Sequence, residues 1–302
     1  MRVFVTGGTG LVGRRIVERL RNRGDAVVVL SRSAAPPVPA GTEVVQGDPT
    51  AAGPWRDTLA ACDGVIHLAG ESIAAHRWTA DFKKKVLDSR VLSTRLIAET
   101  LARGGSPRAW VSASAVGYYG SFADNPTEFV EDDPPGRGFL ADVCVAWETA
   151  AEPAIAAGVR VAHVRVGVVL ADDGGALPKL AKPFRWFVGG PVGSGRQWVS
   201  WIHIDDLAGL FLLALDRPDA RGPINGTAPE PVTNWGFSHA LAGVLKRPCR
   251  VPAPAFALRL LMGEMAELAT HGQRAIPARA KSLGYEFQYP LLEAALRAAL
   301  LP

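Results

Sequence analysis

The stretch Thr6–Gly13, TGGTGLVG, decides the fold. It follows the short apolar run Val3–Val5 and opens a helical pattern over residues 11–23. One glycine lets the chain turn out of a strand, Gly10 lets the backbone approach a pyrophosphate, and Gly13 lets the helix pack closely on the sheet. The free N–H groups of the helix then face the anion. The stretch predicts a dinucleotide site formed by Gly7, Thr9, Gly10, Leu11, Val12 and Gly13.

The second predicted strand indicates which dinucleotide is bound. Ala26–Leu30 is a continuous apolar run, typical of a buried parallel strand, and it ends in Ser31-Arg32. An acidic residue at this strand end would hold the 2′-hydroxyl of NAD, whereas an arginine accommodates the 2′-phosphate of NADP. Ser31 and Arg32 therefore predict NADP(H); the alternative is that Arg32 is an exposed loop arginine.

Two further strand ends add candidate cofactor contacts. Glu43–Gln46 is followed by Asp48, which could contact the adenine or hold a turn. The strand Gly64–Leu68 is followed by small residues that would let a cofactor lie across the backbone. The candidates here are Leu68, Ala69, Gly70 and Glu71. Glu71 could accept a ribose hydroxyl, act on substrate or cap a helix. Arg77 could reach the cofactor phosphate or the pocket, or lie at a helix start and pack there.

The order of the remaining elements predicts the fold class. Helical patterns at Asp81–Leu101 and Phe139–Ala157 alternate with strands at 109–112 and Val159–Val169. Such alternation predicts an α/β fold with a Rossmann-type doubly wound parallel sheet. Residues 1–170, completed by 201–226, would form the NADP-binding domain. Residues 171–200 and 227–302 would form a smaller, mostly helical substrate cap. Asp205 is the predicted cap of a helix over 206–216.

Composition narrows the classes of partner. The net charge is +4, and the basic residues are scattered, so we expect no nucleic-acid partner. Lys83–Lys85 is interpreted as a solvated helix face. The longest apolar stretch, Leu207–Leu215, is too short to span a bilayer, and we expect no membrane partner. The cysteines, Cys62, Cys144 and Cys249, lack metal-binding spacing; we expect no metal site and a reducing, cytoplasmic location.

The motifs TGGTGLVG, SASAVGYYG, RVGVVL and SWIHIDDLAG together resemble the extended short-chain dehydrogenase/reductase superfamily, which includes the nucleotide-sugar epimerases. The C-terminal stretches PAFALRLLMGEMAELATHGQRAIP and LGYEFQYPLLEAAL are similar to a domain of unknown function in an atypical branch. Proteins of that branch are called epimerase family proteins or cell-division inhibitors. The resemblance implies NADP binding, cofactor contacts at Gly167 and Val168, and an unassigned substrate. Superfamily members often dimerise through two long helices, here 81–101 and 139–157, and Trp147 is compatible with such a contact.

The catalytic residues depart from the pattern of that superfamily. Its ordinary members use a serine, and a tyrosine and lysine four residues apart on the helix after the fifth strand. Ser114 matches the serine, but Cys144 and Glu148 occupy the other two positions. A carboxylate disfavours a nearby thiolate, so this pair does not reproduce Tyr/Lys chemistry.

Four interpretations of this departure remain open. Tyr118, Tyr119 or Glu71 could supply the proton. Cys144 could be the donor or a redox-sensitive thiol. Hydride chemistry could have been lost. Finally, Cys144 could be an inert buried residue and Glu148 the structural partner of an arginine; Arg165, if it does not bind substrate, would pair with an internal carboxylate.

The sequence thus supports two functions. The first is an NADP(H)-dependent oxidoreductase or epimerase-like enzyme acting on a carbonyl or hydroxyl substrate, with Ser114, Tyr118, Cys144 and Glu148 as candidate catalytic residues. The second is a non-catalytic NADP(H) sensor or protein-binding module linked to cell division. A homodimer is left open.

Overall fold

The computed structural model describes residues 1–301. Most strands are short apolar runs that follow glycine- or polar-rich turns. The strands are β1 (Arg2–Thr6), β2 (Ala26–Ser31), β3 (Glu43–Gln46), β4 (Gly64–His67), β5 (Ala109–Ala115), β6 (Glu128–Phe129), β7 (Arg160–Val166), β8 (Val168–Leu170), β9 (Trp198–Val199), β10 (Trp201–His203), β11 (Gly222–Gly226), β12 (Val232–Thr233) and β13 (Arg274–Ala275).

Helices connect most of these strands and dominate the last quarter of the chain. They are α1 (Leu11–Asn22), α2 (Trp55–Ala60), α3 (Ala80–Ala102), α4 (Phe139–Thr149), α5 (Glu152–Ala156), α6 (Leu177–Arg185), α7 (Ile204–Asp216), α8 (Asn234–Leu245), α9 (Ala255–Met262), α10 (Glu267–Thr270), α11 (Ala278–Ser282) and α12 (Leu292–Leu300). Single 3-10 turns lie at Val116–Tyr119 and Gly263–Ala266.

The central sheet has seven strands in the order β3-β2-β1-β4-β5-β7-β11, and every neighbouring pair is parallel. The strand order reverses between β1 and β4, where Val5 pairs with Val29 on one side and Ile66 on the other. Open parallel sheets bind ligands at such a reversal, beyond the carboxyl ends of the strands. The predicted Rossmann-type α/β fold is confirmed.

Both faces of the sheet are covered by helices, which explains why the central strands are apolar without alternation. On one face Ile16 and Leu20 of α1 and Phe211 of α7 are completely buried against the sheet. On the other face Trp55 of α2 and Ile97 of α3 are nearly or completely buried. The sheet edge that carries the strand ends is thus the part of this core open to a ligand.

A third apolar cluster holds the mostly helical C-terminal region together. It packs α6, α8 and α12 around Leu170 and Trp201, both completely buried. Asp206 joins this region to α7, because its buried carboxylate accepts the backbone N–H groups of Gln288 and Tyr289 at 2.8 and 2.9 Å. Among residues 1–301, no helix is both long and apolar enough to cross a membrane.

Two predicted elements are wrong in detail, since each is divided in the structure. The helix predicted over 139–157 is two helices, α4 and α5, interrupted just before Pro153, which cannot donate a backbone hydrogen bond. The strand predicted over 159–169 divides at Gly167. The Gly167 N–H pairs with Gly226 in the main sheet, whereas the Val168 N–H donates to Ser200 beside β10.

Two helix starts also differ from the prediction. The helix predicted to be capped by Asp205 begins at Ile204, and His203 is its cap, with Nδ1 accepting the Asp205 N–H at 3.2 Å. Burial lowers the pKa of His203, which keeps the ring nitrogen a neutral acceptor. Arg77 does not start a helix, because α3 begins at Ala80 with Thr79 as its cap.

Candidate functional site

A cleft of about 930 Å³ opens at the carboxyl ends of β1, β2, β3 and β4, and we call it the glycine cleft. Its wall is formed by the turns after these strands and by one side of α3. The lining residues are Gly7, Thr9, Gly10, Leu30, Ser31, Arg32, Ser33, Pro36, Pro37, Asp48, Pro49, Thr50, Leu68, Ala69, Gly70, Glu71, Ser72, Asp81, Lys84, Lys85, Asp88, Ser89 and Leu92.

Glycine is required at two corners of this cleft. Gly7 has φ +69°, and a Cβ there would lie 2.8 Å from the carbonyl carbon of Leu68. A Cβ on Gly13 would lie 2.1 Å from the Gly7 carbonyl oxygen. The β1 turn, the β4 end and α1 are therefore in backbone contact. Gly10 caps α1 without a side chain, so the helix presents its first-turn N–H groups to any anion in the cleft.

The cations of the glycine cleft differ in their partners. Lys85 Nζ lies 3.2 Å from a carboxylate oxygen of Glu71, and Lys84 pairs with Asp88. The Arg32 side chain is exposed and has no carboxylate within 4.0 Å among residues 1–301. It is the cation of the cleft that is most available to an anionic ligand.

Asp48 both lines the cleft and holds a turn. Its carboxylate accepts the Thr50 N–H and hydroxyl at 2.8 and 2.7 Å. These hydrogen bonds lower the pKa of Asp48, with a smaller contribution from Arg32. Asp48 can therefore hold the turn and also contact an adenine in the cleft, the two roles that the sequence left open.

The structure brings together many of the predicted cofactor residues but separates others from the cleft wall. Those in the wall are Gly7, Thr9, Gly10, Ser31, Arg32, Asp48, Leu68, Ala69, Gly70 and Glu71; those outside it are Leu11, Val12, Gly13, Arg77, Gly167 and Val168. Arg77 donates to the carbonyl oxygens of Leu260 and Leu261, at the end of α9. Its guanidinium is thus engaged with the cap.

Sequence reasoning missed the contribution of α3 to this cleft. The basic run was interpreted as a solvated face, yet Lys84, Lys85 and Ser89 line the cleft. A helix that begins beside the β4 end must pass over the same sheet edge. The spacing of Asp81, Lys85 and Ser89, one helical turn apart, is the signal that could have identified this wall.

A second polar site lies further along the same sheet edge, and we call it the arginine cluster: Ser114, Tyr119, Glu148 and Arg165. Arg165 Nε and Nη2 each donate to one oxygen of Glu148, both at 2.9 Å. The Ser114 hydroxyl donates to Glu148 Oε1 at 2.6 Å. The Arg165 and Glu148 side chains are 3% and 13% exposed, so this is a buried, bidentate ion pair.

Tyr119 completes the arginine cluster and is closed off from solvent. Its hydroxyl donates to Asn225 Oδ1 at 2.8 Å and accepts from Arg165 at 3.0 Å. Burial raises the pKa of Tyr119 to about 12, although Arg165 opposes the shift. Tyr118, in contrast, is half-buried, and its ring lies against the Arg165 guanidinium, with Cζ 3.4 Å from the ring centroid.

Cys144 lies next to Ser114 and Glu148 of the arginine cluster and is shielded from solvent. Its thiol is 3% exposed and donates to the Ala115 carbonyl oxygen at 3.6 Å. Burial, together with the nearby Glu148 carboxylate, raises the pKa of Cys144 to about 12. The thiol is therefore protonated at neutral pH, and a proton donor or nucleophile at this position has poor access to a ligand.

Two polar residues that the sequence did not single out anchor the arginine cluster to the cap. Asn225 donates from Nδ2 to the Ile276 carbonyl oxygen at 2.9 Å. Glu131, only 4% exposed, accepts the N–H groups of Asn225 and Arg279 at 2.9 and 3.1 Å. Asn225 and Arg279 are each more than ninety residues from Glu131 in the sequence, so no local sequence pattern could indicate these hydrogen bonds.

Trp147 and His67 are internal residues. The Trp147 ring is 6% exposed and lies 5.0 Å from the Arg90 guanidinium of the same chain, so it is not available for the helix contact with a second copy that the sequence left open. His67 is completely buried, and its Nδ1 lies 2.6 Å from Thr6 Oγ1. Burial lowers the pKa of His67 to about 3, which makes it a neutral core histidine.

Comparison with known proteins covers nearly the whole chain. Residues 3–225 match the NAD dependent epimerase/dehydratase family, and residues 253–299 match a domain of unknown function, DUF1731. The chloroplastic homolog of epimerase family protein SDR39U1 from Arabidopsis thaliana is 42% identical over 308 residues, which cover 99% of this chain and 87% of the relative. The mouse protein SDR39U1 is 38% identical over 302 residues, covering 98% and 99%.

Solved structures agree with this relationship. The crystal structure of human epimerase family protein SDR39U1 with NADPH superposes with a TM-score of 0.86 at 35% identity, covering 99% of both chains. A nucleoside-diphosphate sugar epimerase from Corynebacterium glutamicum gives 0.81 at 36% identity, covering 99% of this chain and 58% of that one. The sheet edge, the glycine cleft and the C-terminal match lead to one conclusion: this chain belongs to the NAD dependent epimerase/dehydratase family, in the branch that carries the DUF1731 domain.

Proposed function

We propose that this chain binds NADP(H) in the glycine cleft and catalyses an oxidoreductase or epimerase-like reaction at a carbonyl or hydroxyl group of a small substrate. One observation carries the proposal: the cleft combines a glycine-lined helix start with an arginine that has no carboxylate partner among the described residues. The relationship to the human protein solved with NADPH supports the choice of cofactor. When bound, such a cofactor supplies or accepts a hydride.

The residues of the cleft suit the different parts of the cofactor. The first-turn N–H groups of α1 would hold the pyrophosphate. Arg32 would bind the 2′-phosphate in a charge-assisted contact, with Ser31 beside it. The turn from Leu68 to Gly70 would pass under the middle of the cofactor, and Glu71, which lines the cleft, would accept a ribose hydroxyl. In this proposal, residues 1–170 and 201–226 bind the cofactor, and the remaining residues form the substrate cap.

We infer that Tyr118 is the group that exchanges a proton with the substrate. Cys144 and Tyr119 are buried, and burial raises the pKa of each to about 12. Glu148 is already bonded to Arg165 and Ser114. Tyr118 is partly accessible and shares the sheet edge with Ser114, and the cationic face of Arg165 would stabilise a growing negative charge beside it. Glu71 is the second candidate because it lines the cleft.

Ser114 would act as an acceptor in this site. A serine hydroxyl has one proton, and here that proton is donated to Glu148. Ser114 is 3% exposed, so its remaining lone pairs would orient a donor, such as a substrate hydroxyl, once the arginine cluster opens. An accepting serine differs from one that donates its proton to a substrate carbonyl. The accepting role of Ser114 predicts stronger binding of the alcohol form of a substrate than of its carbonyl form.

The reaction is tested by NADPH oxidation and NADP reduction with panels of sugars, quinones, aldehydes and the matching alcohols. We expect turnover with at least one class, loss of turnover in Tyr118→Phe, and near-unchanged turnover in Cys144→Ala, because the thiol is shielded. Glu71→Gln tests the second candidate proton donor, and we expect this variant to keep its turnover if Tyr118 is the donor. Tight NADPH binding without turnover across both panels would contradict the enzymatic proposal.

A second function is favoured by the closed arginine cluster. The two positions at which the resemblance expects Tyr and Lys hold a buried thiol and a carboxylate engaged with Arg165. We propose, as the alternative, a non-catalytic NADP(H) sensor that binds a protein partner, with a link to cell division. Pull-down with and without NADPH tests it: a partner captured only in one nucleotide state is expected, and an empty result in both would exclude it.

The remaining proposals concern assembly and location. A homodimer through α3 and the α4–α5 pair would have to form without Trp147, and sedimentation velocity across a range of concentrations tests it. We also propose a cytoplasmic location, with which the three unbridged cysteines, Cys62, Cys144 and Cys249, are compatible.

A further inference from the structure

Two segments of the cap have an unusual charge composition. Residues 174–200 contain Lys179, Lys182, Arg185 and Arg196, and residues 231–263 contain Lys246, Arg247, Arg250 and Arg259; neither segment contains an aspartate or glutamate. The whole chain, in contrast, has 33 basic and 29 acidic residues. Of these eight cations only Arg196 lies within 4.0 Å of a carboxylate among residues 1–301, that of Asp124. We call the two segments together the acid-free surface.

Large apolar side chains protrude from the acid-free surface. Trp186 and Phe187 follow α6 and are 66% and 60% exposed. Phe256, Leu260 and Leu261 of α9 are 76%, 82% and 69% exposed. Isolated exposed apolar residues are common, but five large ones in two adjoining segments indicate an interaction surface.

The helix α9 is apolar on every side yet has no buried residue. Its sequence is AFALRLLM, with Arg259 as the one charged residue. A helix that is apolar all round is normally buried in a core or in a membrane. A span needs about 20 residues. At eight residues α9 cannot cross a bilayer, but it can lie in the interface between head groups and acyl chains.

The two segments adjoin each other because their backbones are paired. The Gly193 N–H donates to the Ala253 carbonyl oxygen, and the Ala253 N–H donates to the Pro191 carbonyl oxygen, both at 2.9 Å. At its other end α9 is held by Arg77, which donates to the Leu260 and Leu261 carbonyl oxygens. The helix is thus fixed at both ends while its apolar side chains remain exposed.

Cations lie directly beside the exposed aromatic rings. Lys182 Nζ is 4.8 Å from the centre of the Trp186 ring, and Arg247 Cζ is 4.6 Å from the centre of the Phe187 ring. Tryptophan and other apolar side chains surrounded by lysine and arginine are typical of segments that bind the surface of a membrane with anionic lipids.

We propose that the acid-free surface binds the surface of a bilayer containing anionic phospholipids. The side chains of α9 and the Trp186-Phe187 pair enter the head-group region, while Lys182, Arg247 and Arg250 meet the lipid phosphates. A second copy of the chain is a poorer occupant, because two acid-free surfaces repel each other. The proposal departs from the expectation of no membrane partner, which rested on the absence of a spanning segment. The proposal is independent of any reaction in the glycine cleft.

Co-sedimentation with vesicles tests the proposal. The full chain is mixed with vesicles of phosphatidylcholine alone or with added phosphatidylglycerol, at about 0.1 M salt, where screening acts over about 10 Å. We expect binding only to the anionic vesicles. Leu260→Glu should lower the partition coefficient about tenfold or more, since it removes a leucine that would insert into the bilayer and adds a charge that anionic lipids repel. Arg250→Gln should lower it about fivefold.

Matched variants control for charge and for folding. Ile155→Glu changes an exposed apolar residue of α5, and Arg103→Gln removes an exposed cation after α3, so neither should alter the partition. Circular dichroism and thermal melting verify that Leu260→Glu is folded. Absence of binding to anionic vesicles would overturn the proposal. So would binding that Leu260→Glu leaves unchanged, or a Leu260→Glu effect on self-association without vesicle binding.

Discussion

The glycine cleft and the arginine cluster lie on the same edge of one sheet but are built in opposite ways. The cleft is open, is lined by small residues and backbone, and has an unpaired cation, Arg32, among the described residues. The arginine cluster is closed, and its one cation, Arg165, is bonded to a carboxylate and a phenol. The first site is suited to receive an anion, and the second has its charges already neutralised.

This difference teaches where the ligand-binding capacity of the sheet edge lies. A buried ion pair whose hydrogen bonds are complete has little to offer a ligand unless the pair opens. A glycine-lined helix start has free N–H groups in the resting state. Cys144 is buried and Glu148 is paired with Arg165, whereas Tyr118 beside them is the more accessible side chain.

The largest expected effect comes from breaking the buried pair. Glu148→Gln leaves the Arg165 charge uncompensated and should lower the free energy of unfolding by about 3–5 kcal/mol. Urea denaturation measures it. The exposed pair Glu293–Arg297 is the matched control, and Glu293→Gln should cost under about 1 kcal/mol. Equal losses at the two sites would show that the arginine cluster is not the closed structure described above.

Replacing both Glu148 and Arg165 separates the cost of an unpaired buried charge from the cost of altered packing. The double variant Glu148→Leu with Arg165→Met should be more stable than Glu148→Gln alone, because no unpaired charge remains. The comparison uses the same urea titration.

The next effect concerns the tight corner of the glycine cleft. Gly13→Ala would place a Cβ 2.1 Å from the Gly7 oxygen, so the turn must move and the helix start would lose its position. We expect NADPH affinity to fall about a hundredfold, or about 2.7 kcal/mol, by fluorescence titration. Gly243→Ala in α8 is the control. A Cβ there meets no atom within 4 Å, and the change should leave affinity unchanged and stabilise the helix by about 0.5–1 kcal/mol.

The unpaired cation of the cleft should determine cofactor preference. We expect the unmodified chain to bind NADPH more tightly than NADH, and Arg32→Ala to remove most of the difference, about 1.5–3 kcal/mol. Isothermal titration with both cofactors measures it. Arg196→Ala, which changes an exposed arginine of the cap, should leave the preference intact. Equal affinities before mutation would contradict the assignment of Arg32.

The effect that is smallest per pH unit tests the neutral core beneath the cleft. Burial lowers the pKa of His67 to about 3, against about 6.5 in an unfolded chain. Between these values the unfolded chain binds a proton that the folded chain excludes, so stability falls as the pH falls below about 6.5. His67→Gln should reduce the slope of the unfolding free energy plotted against pH by up to about 1.4 kcal/mol per pH unit. Identical slopes in urea titrations from pH 6.5 to 4.5 would show that His67 is not kept neutral.

Features of the fold that are set by residues close together in the sequence were predictable. The glycine spacing after Val5 and the apolar run Ala26–Leu30 indicate strand, turn and helix directly, because their causes are backbone conformation and continuous burial. Boundaries were less predictable where a distant partner decides them. The division at Gly167 arises because Val168 pairs with Ser200, and the cap of α7 is His203 because its buried ring accepts the Asp205 N–H.

By itself the sequence determined a doubly wound sheet and a cofactor edge at TGGTGLVG, since both follow from local pattern and the handedness of parallel connections. The tertiary structure alone decided what happens at Cys144 and Glu148. Their burial and their partners, Ala115, Ser114 and Arg165, are set by the packing of α4 on β5 and β7. A pattern of residue types carries no information on which charges neutralise each other inside a folded chain.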